Sequence, residues 1–256
     1  MPNILRGVNP VTRLALMFLL TTPVLFSVDW LSASVLVGIT IVLAPLCGVS
    51  WWRLAKAAWP LLFLAPLSGV SMLLYGKEGG EVYFRFWMAA ISENSIELAI
   101  GISLRVLAVA LPVIVLARDI DPTELGDGLA QVVKLPGRFV IGAVAGVRMA
   151  TLFRDDWDSL ARARRARGLG DRNKIRQFMD MSFGILVMAL RRGSKLATAM
   201  EARGFGRESK YGKQRTWARV STMKLKDWVI IGIGAIIAII PVIVAVQVGT
   251  WRWLGL

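Results

Sequence analysis

The sequence predicts an all-α, polytopic membrane protein of about five transmembrane helices, with a cytoplasmic module of long helices and no sheet. Three observations carry this expectation. Hydrophobic residues make up 55% of the 256 and mean hydropathy is +0.59. The apolar residues gather in stretches near the ~20 residues that cross a bilayer. The net charge of +14 is concentrated: residues 151–226 hold 19 Lys/Arg against 7 Asp/Glu, a net +12. The chain therefore combines an apolar body with one basic, polar module.

Five stretches form the body. Leu14–Val28 carries no charge and can extend through Trp30 and Leu31. Leu31–Trp52 is uncharged and includes Cys47. Ala57–Tyr75 is uncharged but interrupted by Pro60 and Pro66. Leu98–Ala117 contains one ionisable residue, Arg105, and Trp228–Val248 contains none. Trp251 and Trp253 read as interfacial anchors behind the last stretch. The first stretch reads as a retained anchor, with no cleavage pattern. A single cysteine excludes an intrachain disulfide.

Loop charges orient the spans. Arg6 and Arg13 precede the first, and Arg53 and Lys56 follow the second. Asp29 alone separates the first two. The link from Gly76 to Glu97 sets Lys77 and Arg85 against Glu78, Glu81, Glu93 and Glu97. The positive-inside rule places the N-terminus and residues 118–227 in the cytoplasm of a multi-pass plasma-membrane protein, and the C-terminus outside. The expected division is 1–117, a membrane domain of about four spans; 118–227, the cytoplasmic module; and 228–256, the last span and its tail.

Within the module, Asp121-Pro122-Thr123-Glu124 is a helix start, with an N-cap Asp and Pro at the first position. Leu125, Leu129, Val132 and Val133 give that helix one apolar face, and Pro136-Gly137 ends it. A long helix then runs from about Arg138 to Arg167, closed by Gly168. Asp171 can cap another, from about Arg172 to Arg203, closed by Gly204. Both long helices begin apolar (Phe139–Phe153, Phe178–Leu190) and end basic and alanine-rich. Ala163, Ala166, Ala199 and Ala202 would let the two cross closely.

The two helix ends share a pattern. Leu160–Gly170 and Leu196–Gly206, 36 positions apart, both read L-A-x-A-x-x-A-R-G-apolar-G, with seven of eleven positions identical. Each copy sets one arginine, Arg167 or Arg203, at a helix end where glycine stops the helix. Attraction to a membrane needs charge but no fixed spacing, so the repeat points to docking. The scattered Arg172, Lys174, Arg191, Arg192, Lys210 and Lys213 read as a solvated or headgroup-facing surface.

Several chemistries are excluded. There is no histidine, so histidine triads and histidine metal sites are out, and one cysteine excludes thiolate clusters. No G-x-x-x-x-G-K-[ST] phosphate loop is present, so any nucleotide must be hydrolysed by a partner. Arg105, within a span, is a functional candidate; snorkelling or a bond to a helix carbonyl is the alternative. Asp155, Asp156 and Asp158 could seed a lipid-directed active site, but nothing completes one, and they serve to solvate a helix.

Ala166-Arg167-Gly168 and Ala202-Arg203-Gly204 resemble the two signature motifs of the transmembrane T component of energy-coupling factor transporters, a family that includes subunits of vitamin, cobalt and nickel importers. Asn9-Pro10-Val11-Thr12-Arg13-Leu14 resembles the family's D-P-R-T-K-L opening, with Asn for Asp and Val for Arg. Leu104-Arg105 and Asp121-Pro122-Thr123-Glu124-Leu125 are similar as well. The resemblance implies a coupling subunit that joins two ABC-type ATPase subunits to a small membrane-embedded S component, for uptake of a vitamin or transition-metal ion. It implies that Ala166, Arg167, Gly168, Ala202, Arg203 and Gly204 engage the ATPases, with Arg105 a possible S-component contact. This chain would hold no catalytic, cofactor-binding or metal-binding residues, would not be an enzyme, and would bind no nucleic acid; ATP-Mg would sit in the partner subunits. The rival reading is a membrane-anchored protein whose basic module binds nucleic acid or anionic lipid.

Overall fold

The computed structural model describes residues 3–27, 29–76, 79, 82–86, 89–168, 174–205 and 216–250. The helices are α1 (Pro10–Leu25), α2 (Trp30–Leu43), α3 (Trp51–Tyr75), α4 (Glu93–Ala117), α5 (Pro122–Gln131), α6 (Gly137–Ala166), α7 (Lys174–Ala202) and α8 (Leu225–Val248). The fold is that of an all-α membrane protein. One small departure corrects the expectation of no sheet. β1 (Val82–Phe86) and β2 (Ala89–Ser92) pair antiparallel, Phe84 opposite Ile91 and Phe86 opposite Ala89. The Val-Tyr-Phe run at 82–84 suits extended backbone, and the acid-versus-base count of this link carried no signal for it.

The chain divides into two compact units, Met1–Ile120 with Thr222–Leu256, and Asp121–Ser221. In the first, α4 packs against α1, α2 and α3, and α8 packs against α1 and α2. Small residues set these approaches. At Gly69 a Cβ would run into the Ser103 hydroxyl and the Ala99 carbonyl of α4, and at Gly234 it would run into Leu16 of α1. Val24, Ala33, Leu36 and Ala108 are sealed inside. Phe18, Trp52, Phe63 and Ile236 face outward, the arrangement a lipid solvent allows.

Among the described residues, α3, α4 and α8 are long and apolar enough to cross a membrane. α3 runs unbroken through Pro60 and Pro66, which spanning helices tolerate. α1 and α2 are also apolar but have 16 and 14 residues. At 1.5 Å per residue they are about 24 and 21 Å long. The expected span Leu31–Trp52 is corrected: α2 stops at Leu43, and a turn through Pro45 and Gly48 (φ +81°) precedes α3. Val49 N–H bonds the Ala44 carbonyl at 3.0 Å across that turn. Cys47 accordingly lies in a turn, not a helix. Trp251 and Trp253 lie outside the described residues.

In the second unit, α5 starts as its sequence dictates, Asp121 accepting from Thr123 N–H at 2.6 Å. Its contact with α6 goes through glycine. Gly126 is buried, and a Cβ there would meet the Val144 and Val140 side chains. Gln131 holds the returning chain, its amide donating to the Arg219 carbonyl (2.8 Å) and accepting from Ser221 N–H (2.9 Å).

Candidate functional site

The site is built from two helix ends. In α6, Ala166 is the last helical residue, Arg167 the cap (φ −89°, ψ 8°), and Gly168 turns left-handed at φ +70°. In α7, Ala202 is last, Arg203 follows, and Gly204 has φ +78°. Gly204 N–H bonds the Glu201 carbonyl (2.8 Å) and Phe205 N–H the Met200 carbonyl (2.9 Å), a complete Schellman closure. Gly168 N–H bonds the Arg165 carbonyl at 3.0 Å in the equivalent position. A Cβ on either glycine would meet nothing within 4 Å. These glycines are thus required by backbone sign, not by lack of room.

Helix closure of this kind is common; Gly249 ends α8 the same way. The arginines are what distinguish these two ends. Arg167 and Arg203 are exposed and, among the described residues, neither side chain has a hydrogen-bond or ion partner. Their neighbours are used differently. Arg164 pairs with Asp180 at 2.9 Å, and Arg162 donates to the Ser159 hydroxyl at 3.1 Å. Each tip therefore presents a bare guanidinium fork beside exposed alanines, over the negative end of a helix dipole. The outer residues of the repeat, Leu169, Gly170 and Gly206, lie outside the described residues.

The helices cross earlier than expected. Ala163, Ala166, Ala199 and Ala202 are exposed and do not form the crossing. It forms instead where Arg192 grips Asp156 with both nitrogens (2.6 and 3.2 Å) and Gly184 faces Leu160. Trp157 and Phe178 meet alongside with their rings tilted by 53°, centroids 5.5 Å apart. Arg192, expected to be a solvated charge, is thus an interhelical partner, because a bidentate fork satisfies it better than water alone. Asp156 and Arg192 are 36 positions apart, the repeat spacing, so equivalent points of the two helices meet. The contacts run in opposite chain order, so the tips leave the crossing on opposite sides. Arg167 lies about 10 Å and Arg203 about 29 Å along its helix from the Leu160–Gly184 contact.

Arg105 sits in α4, half buried. Its Nη2 is buried and, among the described residues, has no hydrogen-bond partner. Asp29 is buried and caps α2, accepting from Ser32 N–H and Oγ (both 2.7 Å) and from Ser27 Oγ. Among the described residues no cluster of three Cys, Asp or Glu side chains could hold a metal.

Sequence reasoning missed Asp227. It is 1% exposed at the third position of α8 and accepts from Asn9 N–H, Thr12 Oγ1 and Lys224 N–H. A lone acid in the first turn of a helix whose one other charge is the adjacent Lys226 was the available signal.

The family model described as "Cobalt transport protein" (CbiQ) matches residues 1–212. The chain belongs to this family. It is 25% identical over 262 residues to the energy-coupling factor transporter transmembrane protein EcfT of Brevibacillus brevis, an alignment covering 98% of this chain and 94% of that one. It is 27% identical to the EcfT protein of Exiguobacterium sibiricum, covering 67% of this chain and 68% of the relative. With the EcfT protein of Lactococcus lactis it shares 25% identity, covering 79% and 80%. The chain is a transmembrane component of an energy-coupling factor transporter.

Proposed function

We propose that this chain couples two ATPase subunits to a small membrane-embedded S component, and so drives uptake of a vitamin or transition-metal ion. The observation that carries the reading is the pair of matched tips, each a left-handed glycine closure with an unpartnered arginine on an alanine-flanked end. Each fork suits a carboxylate or exposed helix-end carbonyls on one ATPase subunit. Ala166 and Ala202 leave room for a groove wall to approach, and Gly168 and Gly204 keep the chain from continuing into it. ATP-Mg belongs to the partners, which supply the hydrolysis, and this chain contributes movement, not catalysis.

In this reading residues 1–120 and 222–256 are the membrane part, and 121–221 the cytoplasmic coupling module, with the N-terminus on the same side. α1 and α2 complete the membrane crossing beside the three longer helices, giving five segments. The apolar starts of α6 and α7, where Phe139, Phe178 and Phe183 are exposed, carry the movement towards the S component. Arg105 remains a candidate contact for that component.

Affinity purification of the full chain in mild detergent tests the reading. Two ATPase subunits and a small membrane protein should co-purify, and the assembly should hydrolyse ATP while the isolated chain does not. Purification with nucleic acid or lipid alone, at a level that tracks total positive charge, would replace this reading with that of a basic membrane-anchored binder.

A further inference from the structure

The opening segment Asn9–Arg13 takes no part in the helix tips, yet it is bonded to both places where the chain passes between its two units. Asn9 N–H and Thr12 Oγ1 both donate to Asp227 Oδ1, at 2.8 and 3.2 Å. Asp227 Oδ2 accepts from Lys224 N–H at 2.7 Å, and Asn9 Nδ2 donates to the Thr222 carbonyl at 3.4 Å. On the other side, Arg13 Nη1 donates to the Arg118 carbonyl at 3.1 Å, and Nη2 to the Leu5 carbonyl. Arg118 lies three residues before Asp121, where the second unit begins, and Thr222 directly follows Ser221, where it ends.

Helix capping explains part of this. Asn9 Oδ1 accepts from Val11 N–H at 3.0 Å and starts α1. Capping leaves the remaining bonds unexplained: the amide nitrogen, the backbone N–H, the Thr12 hydroxyl and the guanidinium all reach other segments. Elsewhere in this unit, buried threonines bond their own helix: Thr21 the Met17 carbonyl and Thr40 the Leu36 carbonyl, each at 2.8 Å. Thr12, fully buried, reaches a residue 215 positions away instead.

We infer that Asn9, Thr12, Arg13 and Asp227 form a clasp that makes α1, the end of α4 and the start of α8 answer together to movement of the second unit. This rests on the coupling reading. Without the clasp, the outgoing connection at 118–120 and the returning one at 222–227 would yield separately, and movement would dissipate between them. These are positioning residues; none touches nucleotide or cargo.

The test uses the full chain with its co-purified partners in nanodiscs. A fluorophore on Phe18→Cys, an outward-facing site of α1, in a Cys47→Ser background reports the response to ATP. Thr12→Val keeps the shape and removes the donor; Thr12→Ser keeps the donor and removes a methyl. The expected result is that the unaltered clasp and Thr12→Ser give an ATP-dependent signal, while Thr12→Val and Asp227→Asn lose it with ATP hydrolysis and co-purification retained. A full signal in Thr12→Val, or equal loss in Thr12→Ser and Thr12→Val, overturns the clasp, the second outcome meaning that packing alone matters there. A signal that falls only in step with assembled complex and thermal stability also overturns it. If Asp227→Asn fails to fold, the Thr12 pair decides. Absence of co-purified ATPases, or of any ATP response with the clasp intact, refutes instead the coupling reading on which the clasp's role depends.

Discussion

Arg203→Ala and Gly204→Ala alter adjacent residues but should act in opposite ways. Arg203 is exposed and has no partner among the described residues, so its removal should change the chain's own stability by no more than about 0.5 kcal/mol. Gly204 lies at φ +78°, with open space where a Cβ would go. An alanine there meets no clash but must hold a left-handed conformation, at roughly 1–2 kcal/mol, or release the Glu201 and Met200 carbonyls from their closure. In the assembly the ranking inverts for Arg203. Loss of a desolvated, charge-assisted bond that leaves its partner charge unpaired costs about 2–5 kcal/mol. That is roughly thirty-fold or more in affinity for the ATPase subunits. Thermal unfolding of the purified chain and titration of the immobilised chain with ATPase subunits give the two numbers. Arg203→Lys should recover the affinity only partly, since an ammonium lacks the planar fork. The reasoning fails if Arg203→Ala destabilises the isolated chain as much as Gly204→Ala does. It fails equally if ATPase affinity stays within about twofold, which is well under the ~1.4 kcal/mol of a tenfold change.

The Asp156–Arg192 fork, partly open to solvent at 20% and 41% side-chain exposure, should show a small but favourable coupling in a double-mutant cycle followed by thermal unfolding. Zero coupling would remove it as a determinant of the helix crossing. Gly126→Ala should destabilise the second unit by about 1–3 kcal/mol, because its Cβ enters the Val144 side chain. Gly142→Ala, in open space within α6, should instead be neutral or stabilising, and equal melting temperatures for the two would contradict the packing. Asp121 is held below the ordinary carboxylate range by Thr123 N–H and then the Thr123 side chain, with Arg219 adding to the effect. Its folded value lies below its unfolded one, so its contribution is complete above about pH 4 and is lost as pH falls through the lowered value. Asp121→Asn should therefore flatten the acid limb of stability against pH, and unchanged acid sensitivity would argue against the cap.

How much of this protein was legible in its sequence followed the range of the interactions. Asp121 before Pro122 and the glycines at 168 and 204 fixed helix ends through bonds to residues two to five positions away, and such bonds are written locally. Pro136-Gly137, expected to end α5, does not, because α5 already closes at Gln131 with Val132 N–H on the Gly128 carbonyl. The paired motif was legible because it is a repeat, and the conformations of Gly168 and Gly204 follow from glycine's tolerance of positive φ. The Leu31–Trp52 span was misjudged because composition averages over a turn: Pro45 and Gly48 end α2 inside an uncharged stretch. The exposed alanines were misplaced into the crossing because small size permits close approach without requiring it, while Gly184, Asp156 and Arg192 made the contact. Only the tertiary structure decided which arginines are satisfied and which are bare, since Arg164 and Arg192 find carboxylates 16 and 36 positions away. It alone brought Asp227 under Asn9 and Thr12 across more than 200 residues, because a buried carboxylate requires donors, and the packing of α8 against α1 determines which ones reach it.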